Sequence, residues 1–286
     1  MTGDIRLGVL GAGHMGQALL RGVIARGGVA PERVVVSDTR RDVCDALASE
    51  LGVRIAPDNG ELVSSVDIVL LCVKPQVLFS VLAPVAARFG PGTLLVSVAA
   101  GVTLAALEHA VPVGTPVIRA MPNTPCLVGA GASAWAPGRA ATPRHGALAQ
   151  QILGAVGLAY EMPEAALDAV TAVSGSGPAY VFHLMEAMIE GGVKAGFDPA
   201  LIREYVVATV RGAAELAAAS DVDPGELRRR VMSPGGTTEA AIRQLDDAGF
   251  QTAVVRAMGA ARDRSVEMAH AFRAPTAPTG TGRGDR

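Results

Sequence analysis

The stretch Ile5-Arg6-Leu7-Gly8-Val9-Leu10 runs directly into Gly11-Ala12-Gly13-His14-Met15-Gly16, and that junction decides the fold. The first half reads as a buried strand, and the G-x-G-x-x-G run opening a helix-period segment through Arg26 reads as the turn of a βα unit. The first glycine permits the tight turn, the second lets backbone approach a pyrophosphate, and the third lets helix and strand pack closely. An anion then meets free N–H groups at a helix N-terminus, where the helix dipole favours it. Gly11, Gly13, His14, Met15 and Gly16 are therefore candidate dinucleotide contacts, with His14 a bystander to any chemistry. The alternative is a Gly-rich turn that only packs a buried corner.

Outward from this junction, short apolar runs alternate with helix-period segments as far as Met162, the pattern of a doubly wound, mostly parallel α/β sheet. Strands are expected at Ile5 to Leu10, Arg33 to Ser37, Asp67 to Val73, Thr93 to Val98, Val117 to Ala120, Ala130 to Ala136 and Leu158 to Met162, with a weaker one at Val53 to Ala56. Runs such as Ile68-Val69-Leu70-Leu71 lack alternation, so both faces of the sheet carry helices. After Pro163 the strand signals stop. Ala-rich helices are expected at Glu164 to Thr171, Ala179 to Ala195, Pro199 to Ala219, Pro224 to Val231, Thr238 to Asp247 and Gln251 to His270, broken by Gly, Pro and Asp clusters. The organisation is thus a dinucleotide-binding domain over 1–163, a helical domain over 164–270 and a disordered tail over 271–286.

Composition narrows the function. A net charge of −2 with 18% charged residues of mixed sign gives no basic surface for nucleic acid or an anionic membrane, which points to a small ligand. Cys44, Cys72 and Cys126 have no spacing that suits a disulfide framework or a zinc site, so no metal is expected and a reducing cytoplasm fits. No signal-peptide pattern opens the chain, and no apolar run reaches the roughly 18 to 20 residues of a membrane span. With 50% hydrophobic and only 3% aromatic residues, the helices should pack closely and another subunit should cover part of the surface.

The acidic position for a ribose 2′-hydroxyl falls on Asp38, at the end of the second strand, which favours NAD. Arg40 and Arg41 follow at once, and an arginine there can pair with the 2′-phosphate of NADP. Both NADPH and NADH stay open as cofactors, and the arginines can equally be a solvated helix start.

Three further stretches are Cys72-Val73-Lys74-Pro75-Gln76, Arg119-Ala120-Met121-Pro122-Asn123-Thr124-Pro125 and Ala172-Val173-Ser174-Gly175-Ser176-Gly177-Pro178-Ala179-Tyr180. Together with Ser233-Pro234-Gly235-Gly236-Thr237-Thr238, in this order and spacing, they make the chain resemble pyrroline-5-carboxylate reductases from about Ile5 to His270. The resemblance implies a Rossmann domain followed by a helical dimerisation domain, NAD(P)H-dependent reduction of 1-pyrroline-5-carboxylate to L-proline, and a homodimer, with dimers assembled into a decamer. It implies cofactor contacts at Asn59, Lys74, Pro75, Ala99, Ala100, Gly101 and Asn123. It also implies a substrate loop of Ser233, Gly235, Gly236, Thr237 and Thr238, with Thr238 as the catalytic hydrogen-bond donor to the ring nitrogen.

The residues themselves are compatible with this. Ser-Pro-Gly-Gly-Thr-Thr ahead of a helix offers unpaired N–H groups and hydroxyls to a small carboxylate; the alternative is an ordinary Thr-capped helix start. Lys74, after a buried strand, either faces bound phosphate and ribose or snorkels to solvent. Ser174 to Pro178 can be a plain loop with Pro in the first turn of the next helix, Tyr180 reads as packing, and the cysteines carry no role. A hydroxyacid dehydrogenase with the same plan would need a lysine and an asparagine four apart in the second domain. Lys194 has Asp198 there, and the chain's asparagines, Asn59 and Asn123, both lie in the first domain. The rival of another class is a nucleotide-sensing protein without turnover.

Overall fold

The computed structural model describes residues 5–26 and 28–272. Contacts divide the chain into two compact units, one of residues up to Ser176 with those from Ala261 on, the other Gly177–Ala260. The sequence reading put the boundary earlier, at Pro163. The shift has a packing cause: beyond Pro163, Leu167 is wholly buried in the core and Ala172 is 3% exposed. The expected tail lies outside the described residues except for Ala271, which is helical, and Phe272, which packs on the core.

The first unit is built on β1 (Leu7–Leu10), β2 (Val34–Ser37), β3 (Arg54–Ile55), β4 (Ile68–Leu71), β5 (Leu94–Ser97), β6 (Val117–Met121), β7 (Gly131–Pro137) and β8 (Gly157–Glu161). Their order across the sheet is β3-β2-β1-β4-β5-β6-β7-β8. All neighbours run parallel except β6 and β7. Each observed strand lies within two residues, at either end, of the span its apolar run predicts. The lack of alternation in those runs has the expected cause. Val34 and Val36, Ile68 and Leu70, and Leu94 and Val96 enter the core on one face, while Val35, Val69, Leu71 and Leu95 enter a second core on the other.

Two layers of helix cover these faces: α1 (His14–Ala25), α2 (Arg41–Leu51), α3 (Asn59–Ser65), α4 (Leu78–Leu82), α5 (Leu104–His109) and α6 (Pro143–Gly154). Local capping explains where several begin. Asp58 accepts from the Glu61 N–H at α3 and Thr103 from the Ala106 N–H at α5. After β8 the chain winds through a 3₁₀ turn, Glu164–Ala166, then α7 (Leu167–Val170), then a π-helical turn, Thr171–Gly175. The expected single helix is thus three pitches in succession, and Ser176 N–H reaches back to the Thr171 carbonyl at 2.8 Å.

The second unit contains α8 (Gly177–Lys194), α9 (Pro199–Ala218), α10 (Pro224–Arg230), α11 (Thr237–Asp247) and the first turns of α12 (Phe250–Ala271). Asp198 caps α9 and Asp223 caps α10, each followed by Pro at the first helical position. α8 and α9 approach closely at Gly192, where a Cβ would lie 2.3 Å from Ile202 Cγ1. Ile202 and Val206, 8% and 3% exposed, are the buried side chains of this unit, whereas Phe182, Tyr205, Leu216 and Val255 are each more than half exposed. A layer of helices with so small a core is completed only by another surface. Among the described residues, no helix is long and apolar enough to cross a membrane, and no His, Cys, Asp and Glu cluster suits a metal.

Candidate active site

The sequence-predicted cofactor residues follow the carboxyl ends of successive strands. Gly11 to Gly16 follow β1, Asp38 and Arg40 follow β2, Asn59 opens α3 after β3, Lys74 and Pro75 follow β4, Ala99 to Gly101 follow β5 and Asn123 follows β6. The strand order reverses direction at β1, flanked by β2 and β4, and ligands of open α/β sheets bind at such a crevice.

The Gly-rich turn has three different glycines. Gly11 sits at φ +95, with its N–H donated to the Ser37 carbonyl at 2.9 Å, and a Cβ there would also strike the Cys72 backbone. Gly16 admits no Cβ, which would lie 2.2 Å from the Gly11 carbonyl oxygen. Gly13 is the opposite case: a Cβ would meet nothing within 4 Å. Gly13 is also the N-cap of α1 and brings no side-chain cap to the first amides of a 12-residue helix. This cradle fits a dinucleotide pyrophosphate. His14 is exposed, and Met15 packs against the core below the turn.

Asp38 is held close to that turn. Its Oδ2 accepts from Ala12 N–H at 2.8 Å, and its Oδ1 accepts from Arg40 N–H at 2.9 Å and Arg40 Nε at 3.2 Å. Burial alone would raise the Asp38 carboxyl, but the Arg40 side chain and the Arg40 and Ala12 backbone amides outweigh it and hold the group below the ordinary carboxylate range. Arg41 donates instead to Asp45, one helical turn on. Beside them the Ser37 hydroxyl donates to Asn59 Oδ1 at 2.7 Å, so β2 and the start of α3 are tied at this corner.

Further along, Lys74 is exposed at the head of a 3₁₀ turn that begins with Pro75. Gly101, at φ +74, lies under Met268 of α12, 2.7 Å from where its Cβ would stand. Ala99 is buried and Ala100 partly exposed. Asn123 is not free as an isolated contact would be. Its Oδ1 accepts from Ala132 N–H at 2.9 Å and its Nδ2 donates to the Ser174 carbonyl at 3.1 Å, while Ser174 Oγ donates to the Ala132 carbonyl at 2.5 Å. The three residues form a closed ring linking the start of β7 to the π-helical turn. Burial pushes the Cys72 thiol up to about 12 and also raises Cys44 and Cys126, which keeps all three protonated.

One buried ion-pair cluster of the first unit was not anticipated from the sequence. Arg119 on β6 is buried and pairs with Glu164 Oε1 at 3.0 Å and Asp168 Oδ1 at 3.4 Å. Glu164 also accepts from Leu104 N–H at 2.7 Å, and Asp168 accepts from Ser265 Oγ at 2.7 Å. Four distant segments therefore meet at one buried guanidinium. An arginine alternating inward on an otherwise apolar strand was the only available hint.

In the second unit, the segment Ser233 to Thr238 makes a tight turn into α11. Gly235 takes φ +69, and Gly236 N–H donates to the Ser233 carbonyl at 2.9 Å. A Cβ on Gly236 would lie 2.3 Å from Ser233 Oγ and 3.0 Å from the Ser233 carbonyl oxygen, so a side chain there would crowd the turn. The N-cap is Gly236, with no side-chain cap, which makes Thr237 and Thr238 the first helical residues and disposes of the Thr-capped reading. Glu239, which the sequence reading passed over, accepts from Gly235 N–H at 2.6 Å. The Tyr180 hydroxyl, read as packing, is buried without a hydrogen-bond partner among the described residues.

A family model for pyrroline-5-carboxylate reductase dimerisation matches residues 164–268, and one for NADP oxidoreductase, coenzyme F420-dependent, matches residues 6–101. The chain is 42% identical to a pyrroline-5-carboxylate reductase of Methanosarcina acetivorans over 92% of its length and 97% of the relative's. It is 37% identical to that of Escherichia coli, over 92% and 98% of the two chains. Among solved structures, pyrroline-5-carboxylate reductase from Coxiella burnetii superposes with a TM-score of 0.86 at 33% identity, covering 92% of this chain and 98% of that one. Pyrroline carboxylate reductase of Plasmodium falciparum, solved with NADP bound, superposes with a TM-score of 0.83 at 30% identity, covering 93% and 98%.

Proposed function

The chain belongs to the pyrroline-5-carboxylate reductase family, and from that premise we infer that it reduces 1-pyrroline-5-carboxylate to L-proline with NAD(P)H, the last step of proline biosynthesis. One observation supports this beyond kinship: α1 and α11 begin at the glycines Gly13 and Gly236, neither of which supplies a side-chain cap. Each leaves backbone donors for an anion, one suited to a pyrophosphate and the other to a small carboxylate.

The reduced nicotinamide supplies hydride to the imine carbon. The protein's part is to bind and orient. Gly11, Gly13 and Gly16 receive the pyrophosphate, and Asp38, Asn59, Lys74, Pro75 and Ala99 to Gly101 border the remainder of the cofactor crevice. Asn123 acts by fixing the backbone after β6 rather than by presenting a free amide. Ser233, Gly235, Gly236 and Thr237 receive the substrate carboxylate. A protonated imine is already electrophilic, so no strong acid is needed; the Thr238 hydroxyl accepts from the ring nitrogen and then donates to the amine as it forms. Buried, protonated thiols leave no cysteine for covalent chemistry.

The exposed apolar side chains of α8, α9 and α12 support a dimer built by the helical unit. Assembly of dimers into a decamer, and residence in the cytoplasm, extend the same reading. The deciding experiment is a coupled measurement of nicotinamide oxidation and proline formation from 1-pyrroline-5-carboxylate. Oxidation without proline, or neither, would refute the assignment.

A further inference from the structure

We propose that Asp38, locked by Ala12 and Arg40, makes this enzyme select the cofactor without a 2′-phosphate, so that NADH rather than NADPH is its working reductant. The inference rests on the reductase reading above and deepens it at the adenosine end of the crevice.

The residue at the end of the second strand in this fold faces the adenosine ribose. Here it is a carboxylate whose side chain is only 10% exposed. Its position is fixed from two sides. Ala12 N–H, inside the Gly-rich turn, holds one oxygen at 2.8 Å, and Arg40 holds the other through its backbone and guanidinium. Arg40 Nη2 reaches Oδ2 as well, at 3.4 Å. Of these contacts the last is the longest, and a ribose hydroxyl, itself a donor, can take its place without moving the carboxylate.

A 2′-phosphate meets the opposite situation. It carries about −1.5 to −2 charges at neutral pH and only acceptor oxygens, so it offers the carboxylate nothing but repulsion. The carboxylate stays ionised, for the reasons given for its lowered pKa. Both arginines that follow Asp38 in sequence are already engaged: Arg40 with Asp38, and Arg41 with Asp45 at 3.2 Å. Were Arg40 to swing out onto a phosphate, it would uncover Asp38 at the same contact. The arginines that the sequence leaves open as phosphate ligands therefore serve their own neighbouring carboxylates.

The test is equilibrium binding to the full-length protein by calorimetry, with NAD⁺, NADP⁺ and the fragments AMP and adenosine 2′,5′-bisphosphate. Wild type should bind NAD⁺ at least about 10-fold more tightly than NADP⁺, and AMP more tightly than the bisphosphate. Asp38→Asn keeps an acceptor for Ala12 N–H but removes the charge, and should raise the NADP⁺ to NAD⁺ affinity ratio by about 10-fold or more. Asp38→Ser serves as the second variant if the first melts early. Equal or tighter binding of NADP⁺ by wild type, or an unchanged ratio in both variants, overturns the proposal. Because binding is read without substrate, failure to make proline would refute the reductase reading and leave this result standing.

Discussion

The Asn123 side chain and the Ser174 backbone are joined directly, Nδ2 to carbonyl at 3.1 Å, and again through Ala132, which each of them also holds. Asn123 is 8% exposed, so water cannot replace these bonds when the amide is removed. Asn123→Ala should cost about 2 to 4 kcal/mol, the sum expected for one unsatisfied N–H and one unsatisfied carbonyl. Asn123→Asp should restore only the bond to Ala132. Urea denaturation of both variants checks this, and equal loss in both would show that the Ala132 bond contributes nothing.

Two glycines of one motif should fail in different ways. Gly13→Val places its side chain in open space, so the fold should survive with a cap penalty of about 1 kcal/mol while dinucleotide binding is lost. Gly16→Ala drives a methyl group into the Gly11 carbonyl and should destabilise by about 1 to 3 kcal/mol. Melting curves with and without dinucleotide separate them: wild-type ligand stabilisation in Gly13→Val would remove the pyrophosphate from this turn.

Arg119 neutralises two carboxylates that are themselves 33% and 21% exposed. Arg119→Met should destabilise by about 3 kcal/mol, since both acids lose their shared cation in a partly dry site. Combining it with Glu164→Gln and Asp168→Asn should recover part of the loss. Absence of any recovery in the triple variant would mean that the stability comes from the packing of the arginine stem.

Thr238, one residue inside α11, does not cap the helix, and the proposed role assigns its hydroxyl to the substrate nitrogen. Thr238→Ala should lower kcat by about 10 to 1000-fold, the range for one transition-state hydrogen bond, with little change in melting temperature. Thr238→Ser should keep most of the activity. Wild-type turnover in the alanine variant would end the catalytic assignment.

Phe182 and Val255, 59% and 63% exposed, belong to helices with almost no core of their own. The double change Phe182→Glu and Val255→Glu should shift the protein toward monomer in light scattering and lower its melting temperature. An unchanged mass at micromolar concentration would place the self-association surface elsewhere.

The sheet was legible in the sequence because a parallel strand buried on both faces leaves an unbroken apolar run, as in Ile68-Val69-Leu70-Leu71. The reversal of β7 against β6 was not, since side-chain period carries no strand direction. Gly11 and Gly16 of the cofactor turn could be read because each answers a local steric demand. Arg119 could not, because its partner is set by tertiary placement, 45 residues away; Glu239 was passed over although its partner, Gly235, is only four residues back. The contact-based division falls later than Pro163 because Leu167 belongs to the sheet's core although its neighbours in sequence look like the helical unit.

The return of α12 to the first unit, with Ser265 bonded to Asp168 beside Arg119, has a mechanical consequence. Residues on either side of the helical unit, up to Ser176 and from Ala261 on, belong to one compact body. A break of the chain within the helical unit would therefore leave its two flanks still joined, Ser265 to Asp168 at 2.7 Å.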